Sequence, residues 1–163
     1  DRSGSMGGVP LATSAVAAAA VAWRAPEDYS VLSFGKDVVA AKSQDATKSS
    51  EAVVDAVLAL RGFGTTDVVR ALDAATEQLS RSRAGRKIAV LLSDCRATAH
   101  GSGEGESIAQ VVAAARRVGE LVIIAPEGDA ETAEQLAAAT GCKITTVSGP
   151  SDAAAALARV LDS

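Results

Sequence analysis

KIAVLLS, residues 87–93, is the stretch that decides the fold of this chain. Its side chains are apolar without a break from Ile88 to Leu92, and such a run is typical of a strand that is buried on both faces of a parallel sheet. On either side of it, helical and extended patterns alternate, which favours a sheet covered by helices on both faces. The sequence therefore predicts an α/β protein with a doubly wound, mostly parallel sheet flanked by helices.

The remaining elements follow from the spacing of apolar residues and from turn residues between them. Helices are predicted over residues 9–24, 49–60, 67–82, 107–118, 131–139 and 151–161, and strands over 29–34, 37–42, 87–93, 121–125 and 143–147. The second strand is expected to form a hairpin with the first. Trp23 is expected to serve helix packing. No repeat or linker divides the chain, so residues 1–163 are predicted to form a single domain.

Composition limits the classes of partner. The net charge is −4, with 16 Lys and Arg against 20 Asp and Glu, so no basic face is expected for nucleic acid. The longest apolar run, residues 9–23, is Ala-rich and too short to span about 30 Å of hydrocarbon. Cys95 and Cys142 form no CxxC pair, which favours a reducing compartment or simple burial of the two thiols. We therefore expect a cytoplasmic protein that binds neither nucleic acid nor membrane.

Oxygen-bearing side chains collect where the predicted strands end. Asp1, Ser3 and Ser5 alternate in DRSGSM, and Asp94 follows the strand of residues 87–93. Thr66 lies in the loop that leads into the helix of residues 67–82. Ligands of doubly wound sheets bind beyond the carboxyl ends of the strands. An all-oxygen set of carboxylates and hydroxyls suits Mg²⁺ and tolerates Mn²⁺ or Ca²⁺.

Three motifs carry a resemblance to a known family. DRSGSM at 1–6, GTTD at 64–67 and LLSD at 91–94 resemble, in order and spacing, the metal-ion-dependent adhesion site of von Willebrand factor A (VWA) domains. The resemblance implies that the metal ligands are Asp1, Ser3, Ser5, Thr66 and Asp94, with Thr65 as the alternative to Thr66. It also implies a site without chemistry of its own, at which an acidic side chain of a partner protein completes the metal shell.

The resemblance further implies a strand directly before DRSGSM, in the centre of a sheet of order 3-2-1-4-5-6 with an antiparallel edge strand. The chain as given lacks this strand, so we expect a fragment of a longer chain; a strand from another chain is the alternative. Its Ala and Arg usage is similar to that of intracellular bacterial VWA proteins. Such relatives act as adaptors of AAA+ ATPases, including MoxR-type and metal-chelatase systems, which makes an AAA+ ATPase an expected partner.

Enzymatic readings find less support in the sequence. Ser5 lacks the first Gly of a G-x-S-x-G nucleophile elbow. The remaining alternative is a Mg²⁺-dependent phosphoryl-transfer enzyme with Asp1 as nucleophile and Asp94 at the metal. That class usually has a second acid two residues after the nucleophile, where this chain has Ser3. We therefore expect a binding module rather than an enzyme.

Overall fold

The structure is a computed structural model that describes residues 1–2, 8–60, 66–96 and 108–162. The helices are α1 (Val9–Arg24), α2 (Ser50–Leu58), α3 (Val68–Ser80), α4 (Ile108–Val118), α5 (Glu131–Thr140) and α6 (Pro150–Leu161). The strands are β1 (Val31–Phe34), β2 (Val38–Lys42), β3 (Ile88–Leu92), β4 (Glu120–Pro126) and β5 (Lys143–Val147). Each predicted element is confirmed, and its ends shift by one or two residues at most.

Local signals in the sequence account for several of these ends. The Ser49 hydroxyl accepts a hydrogen bond from the backbone N–H of Ala52 and so caps α2 at 3.2 Å. Asp67 caps α3 in the same way, accepting from the N–H of Arg70 at 2.8 Å. Side-chain acceptors at this position satisfy backbone donors that the first helical turn leaves open. At the other end of a helix, Gly141 adopts φ 73° and stops α5 with a left-handed residue.

The described strands form two sheets rather than one. β3, β4 and β5 are parallel and lie in that order, whereas β1 and β2 form an antiparallel pair. The hairpin predicted for β1 and β2 is therefore confirmed, as is the α/β class. The expected order 3-2-1-4-5-6 corresponds to this division. Its strand 1 is the strand expected before Asp1, and the neighbours of that strand in the order are β1 and β3. Without it, the sheet divides between these two.

Helices cover the sheets on both faces and build the core from aliphatic side chains. On one face, α3, α4 and α5 pack against β3 and β4 through a cluster that includes Leu72, Leu91 and Ile123. On the other face, α6 packs through Leu157 against Ile124. Ile123 and Ile124 are at most 1% exposed, and full burial of such a side chain stabilises the fold by about 1.5–3 kcal/mol.

The exposure of Trp23 contradicts one prediction. Its side chain is 88% exposed, so the expectation that it serves helix packing was wrong. The buried residues of α1 are small, namely Thr13, Ala15, Ala17, Ala18 and Ala22. These small residues form the inner face of α1, and Trp23 follows Ala22 by about 100° of helical rotation, which carries it outward.

None of the helices that the structure describes is both long enough and apolar enough to cross a membrane.

Candidate metal centre

The first two residues lie between the carboxyl ends of β1 and β3. The α-amino nitrogen of Asp1 donates to the carbonyl of Leu92 at 3.2 Å, and the backbone N–H of Arg2 donates to the carbonyl of Phe34 at 2.7 Å. These two backbone hydrogen bonds hold Asp1 and Arg2 at the ends of both strands.

Ser93 orients the carboxylate of Asp1. Its hydroxyl donates to Asp1 Oδ2 at 2.5 Å and accepts from the backbone N–H of Cys95 at 2.8 Å. Ser93 is fully buried, so neither bond competes with bulk water. Sequence analysis did not include Ser93 among the site residues, although its place in LLSD, directly before Asp94, is a signal that could have found it.

One carboxylate oxygen of Asp94 accepts a hydrogen bond, and the other meets no donor among the described residues. Oδ1 accepts from the backbone N–H of Arg96 at 3.0 Å. Oδ2 is buried, and no donor among the described residues reaches it. The residue is 1% exposed, and a buried carboxylate oxygen without a partner is costly to maintain. A cation bound at Oδ2 would supply the missing interaction.

Thr66 is the third described residue of the predicted site. It is 3% exposed and directly precedes Asp67, the cap of α3. The backbone N–H of Asp67 donates to the carbonyl of Gly35 at 3.0 Å, next to Phe34, which binds Arg2. Asp67 is therefore hydrogen-bonded at the same end of β1 as Arg2. The predicted ligands Ser3 and Ser5, and the alternative Thr65, lie outside the described residues.

The donor chemistry of the described site is that of oxygen. In the described part of the chain, no three His, Cys, Asp or Glu side chains gather in a metal-binding cluster. Cys95, which directly follows Asp94, is buried, and burial raises the pKa of its thiol to about 12, so it stays protonated. Two carboxylates supplemented by hydroxyls fit Mg²⁺, which keeps several waters when a protein supplies few ligands.

The backbone turns sharply after Asp94. Cys95 has φ 57°, a left-handed conformation that is uncommon for residues other than Gly. The bond from its N–H to Ser93 stabilises this turn. Arg96 then forms an ion pair with Asp129 of the segment after β4.

Comparison with known proteins places this geometry in a family. Residues 1–158 match the family described as VWA domain containing CoxE-like protein. Among curated protein sequences, none matches the chain.

Solved structures show the same fold at low sequence identity. The von Willebrand factor type A structure from Catenulispora acidiphila has a TM-score of 0.70 at 19% identity, over 98% of this chain and 39% of that one. The aerotolerance-related membrane protein from Bacteroides fragilis NCTC 9343 has a TM-score of 0.68 at 11% identity, over 94% and 88% of the two chains. The conserved hypothetical protein BatB from Bacteroides thetaiotaomicron has a TM-score of 0.65 at 12% identity, over 94% and 87%.

The chain thus spans well under half of the Catenulispora chain and most of each Bacteroides chain. The family match covers nearly the whole chain, and the arrangement of helices and strands agrees with it. This chain belongs to the family of VWA domain containing CoxE-like proteins.

Proposed function

We propose that this domain binds a partner protein through Mg²⁺, which is held by Asp1, Ser3, Ser5, Thr66 and Asp94. A carboxylate of the partner completes the metal shell. The observation that carries the proposal is the buried Oδ2 of Asp94, which meets no donor among the described residues. Membership of a family of VWA domains, which are generally interaction modules, supports binding rather than catalysis.

Carboxylate and hydroxyl groups of the site contribute differently to the binding of a cation. The carboxylates of Asp1 and Asp94 carry two negative charges, which balance the two positive charges of Mg²⁺, and hydroxyl groups add neutral oxygens. The site with its ion is therefore not net negative, so the ion can accept the carboxylate of a partner as a further ligand. Ser93 donates to Asp1 Oδ2 and so holds this carboxylate in place for the metal or its waters. Mn²⁺ and Ca²⁺ accept the same oxygen ligands.

An AAA+ ATPase is the partner class that we propose. CoxE-like proteins are linked to MoxR systems, and an adaptor would couple ATP-driven remodelling to a client. Purified AAA+ ATPase of the same organism should bind the whole protein in Mg²⁺ and be released by EDTA. ATPase binding that survives both EDTA and Asp94→Ala would contradict a metal-mediated contact with this partner.

The metal site is tested with Mn²⁺ as a paramagnetic probe in the whole protein. Bound Mn²⁺ with open water positions enhances the relaxation of water protons, and acetate should reduce this enhancement as its carboxylate displaces water. Asp94→Ala removes a ligand and no apolar side chain of the core, so the fold should persist while Mn²⁺ affinity falls by at least about tenfold. Asp37→Ala is the matched control, because Asp37 is an exposed carboxylate of the β1–β2 turn. Equal Mn²⁺ affinity in both variants would refute the site.

The phosphoryl-transfer alternative makes a different prediction. With Asp1 as nucleophile, the whole protein in Mg²⁺ should hydrolyse a generic aryl phosphate, and Asp1→Asn should abolish the turnover. We expect no turnover above buffer in either protein. Hydrolysis that is lost in Asp1→Asn would replace the binding role with the enzymatic one.

A further inference from the structure

A small apolar pocket opens beside the candidate metal centre, on the face of the sheet that α1 and α6 cover. It has a volume of about 200 Å³ and lies between the ends of β3, β4 and β5 and the starts of the two helices. Ile124 and Val147 are at most 7% exposed, so they form its closed end. Val9 is 58% exposed and stands at its mouth. The pocket is therefore open to solvent and reaches down to the apolar cluster under α6.

The pocket and the candidate metal centre share the end of β3. Leu92 lines the pocket, and its carbonyl accepts from the nitrogen of Asp1 at 3.2 Å. The next residue, Ser93, donates its backbone N–H at 3.2 Å to the carbonyl of Ile124, another residue of the pocket. Asp94 follows, and its Cα atom lies within about 7 Å of that of Leu92, because two residues of chain span no more. One bound peptide can therefore reach both places.

The space at the mouth of the pocket depends on Gly149. This residue is the N-cap of α6, and a Cβ atom placed on it would lie 3.6 Å from Cγ1 of Val9. A side chain at position 149 would therefore contact Val9 across the mouth. The φ of Gly149 is 170°, which is extended backbone that other residues adopt as well. The glycine thus provides room rather than an unusual backbone conformation.

The volume and the lining of the pocket limit what it can hold. An apolar cavity of about 150 Å³ is large enough for a benzene ring, whereas pockets for drug-sized ligands begin at about 300 Å³. A volume of about 200 Å³ therefore fits one apolar side chain of the size of leucine and not a whole small molecule. Glu127 is the charged residue of the described lining, so a second acidic side chain would meet a like charge there.

We infer that this pocket receives an apolar side chain of the partner, from a residue adjacent in sequence to the acidic residue that binds the metal. The inference rests on the proposed function, because the metal-bound carboxylate fixes the position of the partner's chain. Neighbouring residues of a peptide have Cα atoms about 3.8 Å apart, so a side chain next to the acidic residue reaches the mouth of the pocket. Recognition then requires one carboxylate with an aliphatic neighbour, and a cluster of acidic residues alone does not satisfy it.

Competition with Mn²⁺-bound water in the whole protein tests the inference. Two capped peptides are compared, acetyl-Leu-Asp-Leu-amide and acetyl-Ser-Asp-Ser-amide. Both should reduce the enhancement of water-proton relaxation, and the leucine peptide should do so at a concentration at least about tenfold lower, because its side chain is buried in the pocket. In EDTA, a higher concentration of the leucine peptide should still shift the NMR methyl signals of Val9, Ile124 and Val147, which gives a readout that needs no metal.

Variants at the mouth of the pocket locate the effect. Gly149→Leu should abolish the preference for the leucine peptide, and Val9→Asn should reduce it. Both variants should keep the Mn²⁺ affinity and the affinity for the serine peptide, since neither residue is a proposed metal ligand. Val39→Asn is the matched control, because Val39 is also an exposed valine, at 49%, and lies on β2 away from the pocket. It should keep the full preference.

The experiment separates failure of this inference from failure of the metal site. Equal affinity of the two peptides for the Mn²⁺-loaded protein would overturn the inference and leave the metal site standing. A leucine preference that persists unchanged in both Gly149→Leu and Val9→Asn would overturn it as well. Absence of Mn²⁺ binding would overturn the proposed function and the inference with it.

Discussion

The substitution Asp94→Asn tests whether Asp94 is a metal ligand or a purely structural aspartate. The two roles predict opposite changes in the stability of the metal-free protein. The substitution keeps the shape of the side chain and the acceptor for the N–H of Arg96. It removes the charge on a carboxylate that is 1% exposed and has an open oxygen among its described surroundings. A structural aspartate would lose stability on this change, whereas a metal ligand without its metal should gain it.

The magnitude follows from the cost of the open oxygen. A buried unsatisfied acceptor costs about 1–3 kcal/mol, and we take the lower end, since the new amide group also needs a partner. A gain of about 1 kcal/mol raises the melting temperature of a domain of this size by about 2–4 °C. Mg²⁺ at 100 times its dissociation constant should stabilise the unmutated protein by about 2.7 kcal/mol, and this gain should vanish in the variant.

Thermal unfolding of the whole protein in EDTA and in Mg²⁺ measures both effects. Asp37→Asn serves as the control, because it removes the same charge from an exposed turn near the site and should leave the Mg²⁺ shift unchanged. The reasoning is refuted if Asp94→Asn melts below the unmutated protein in EDTA, or if it keeps the full Mg²⁺ shift.

Three further predictions concern residues around the site. Asp67→Ala removes the cap of α3 and should lower the free energy of unfolding by about 1 kcal/mol in urea titrations, whereas Asp67→Asn, which keeps a capping oxygen, should lower it by less than half as much. Ser93→Ala removes the bond to Asp1 and should weaken Mn²⁺ binding in the relaxation titration, while Ser93→Thr keeps the hydroxyl; equal affinities in the two variants would argue against orientation of Asp1 by Ser93. Cys95 should resist iodoacetamide in the native protein at pH 8, because its raised pKa of about 12 leaves about one thiolate in 10⁴; mass spectrometry should find the modification on Cys142, and rapid labelling of Cys95 would show that the site opens.

Local sequence patterns were sufficient for the helices and strands of the chain. The unbroken apolar run of β3, the serine cap of α2 and the glycine after α5 each act within a few residues, so their effects can be read without knowledge of the fold. The hydrogen bonds of Ser49 and the left-handed Gly141 are the structural counterparts of those signals.

The residues of the proposed site could be read from the sequence only in part, and that they bind a metal stays a prediction. Asp1, Thr66 and Asp94 stand out because strand ends and family motifs carry them, and Asp1 and Asp94 lie at the carboxyl end of β3. Ser93 was missed because its role depends on a partner more than ninety residues away in sequence. Trp23 was misjudged because the direction of a helical side chain depends on which face of the helix its neighbours bury.

The sequence by itself determined the order of helices and strands, the α/β class and the oxygen-rich character of the site, because each depends on residues that are close together in the chain. Only the tertiary structure decided which carbonyl groups bind the backbone of Asp1 and Arg2, which side chain orients the carboxylate of Asp1 and which oxygen of Asp94 has no donor among the described residues. These contacts join segments far apart in sequence, and their free energies are set by packing and desolvation that no local pattern records.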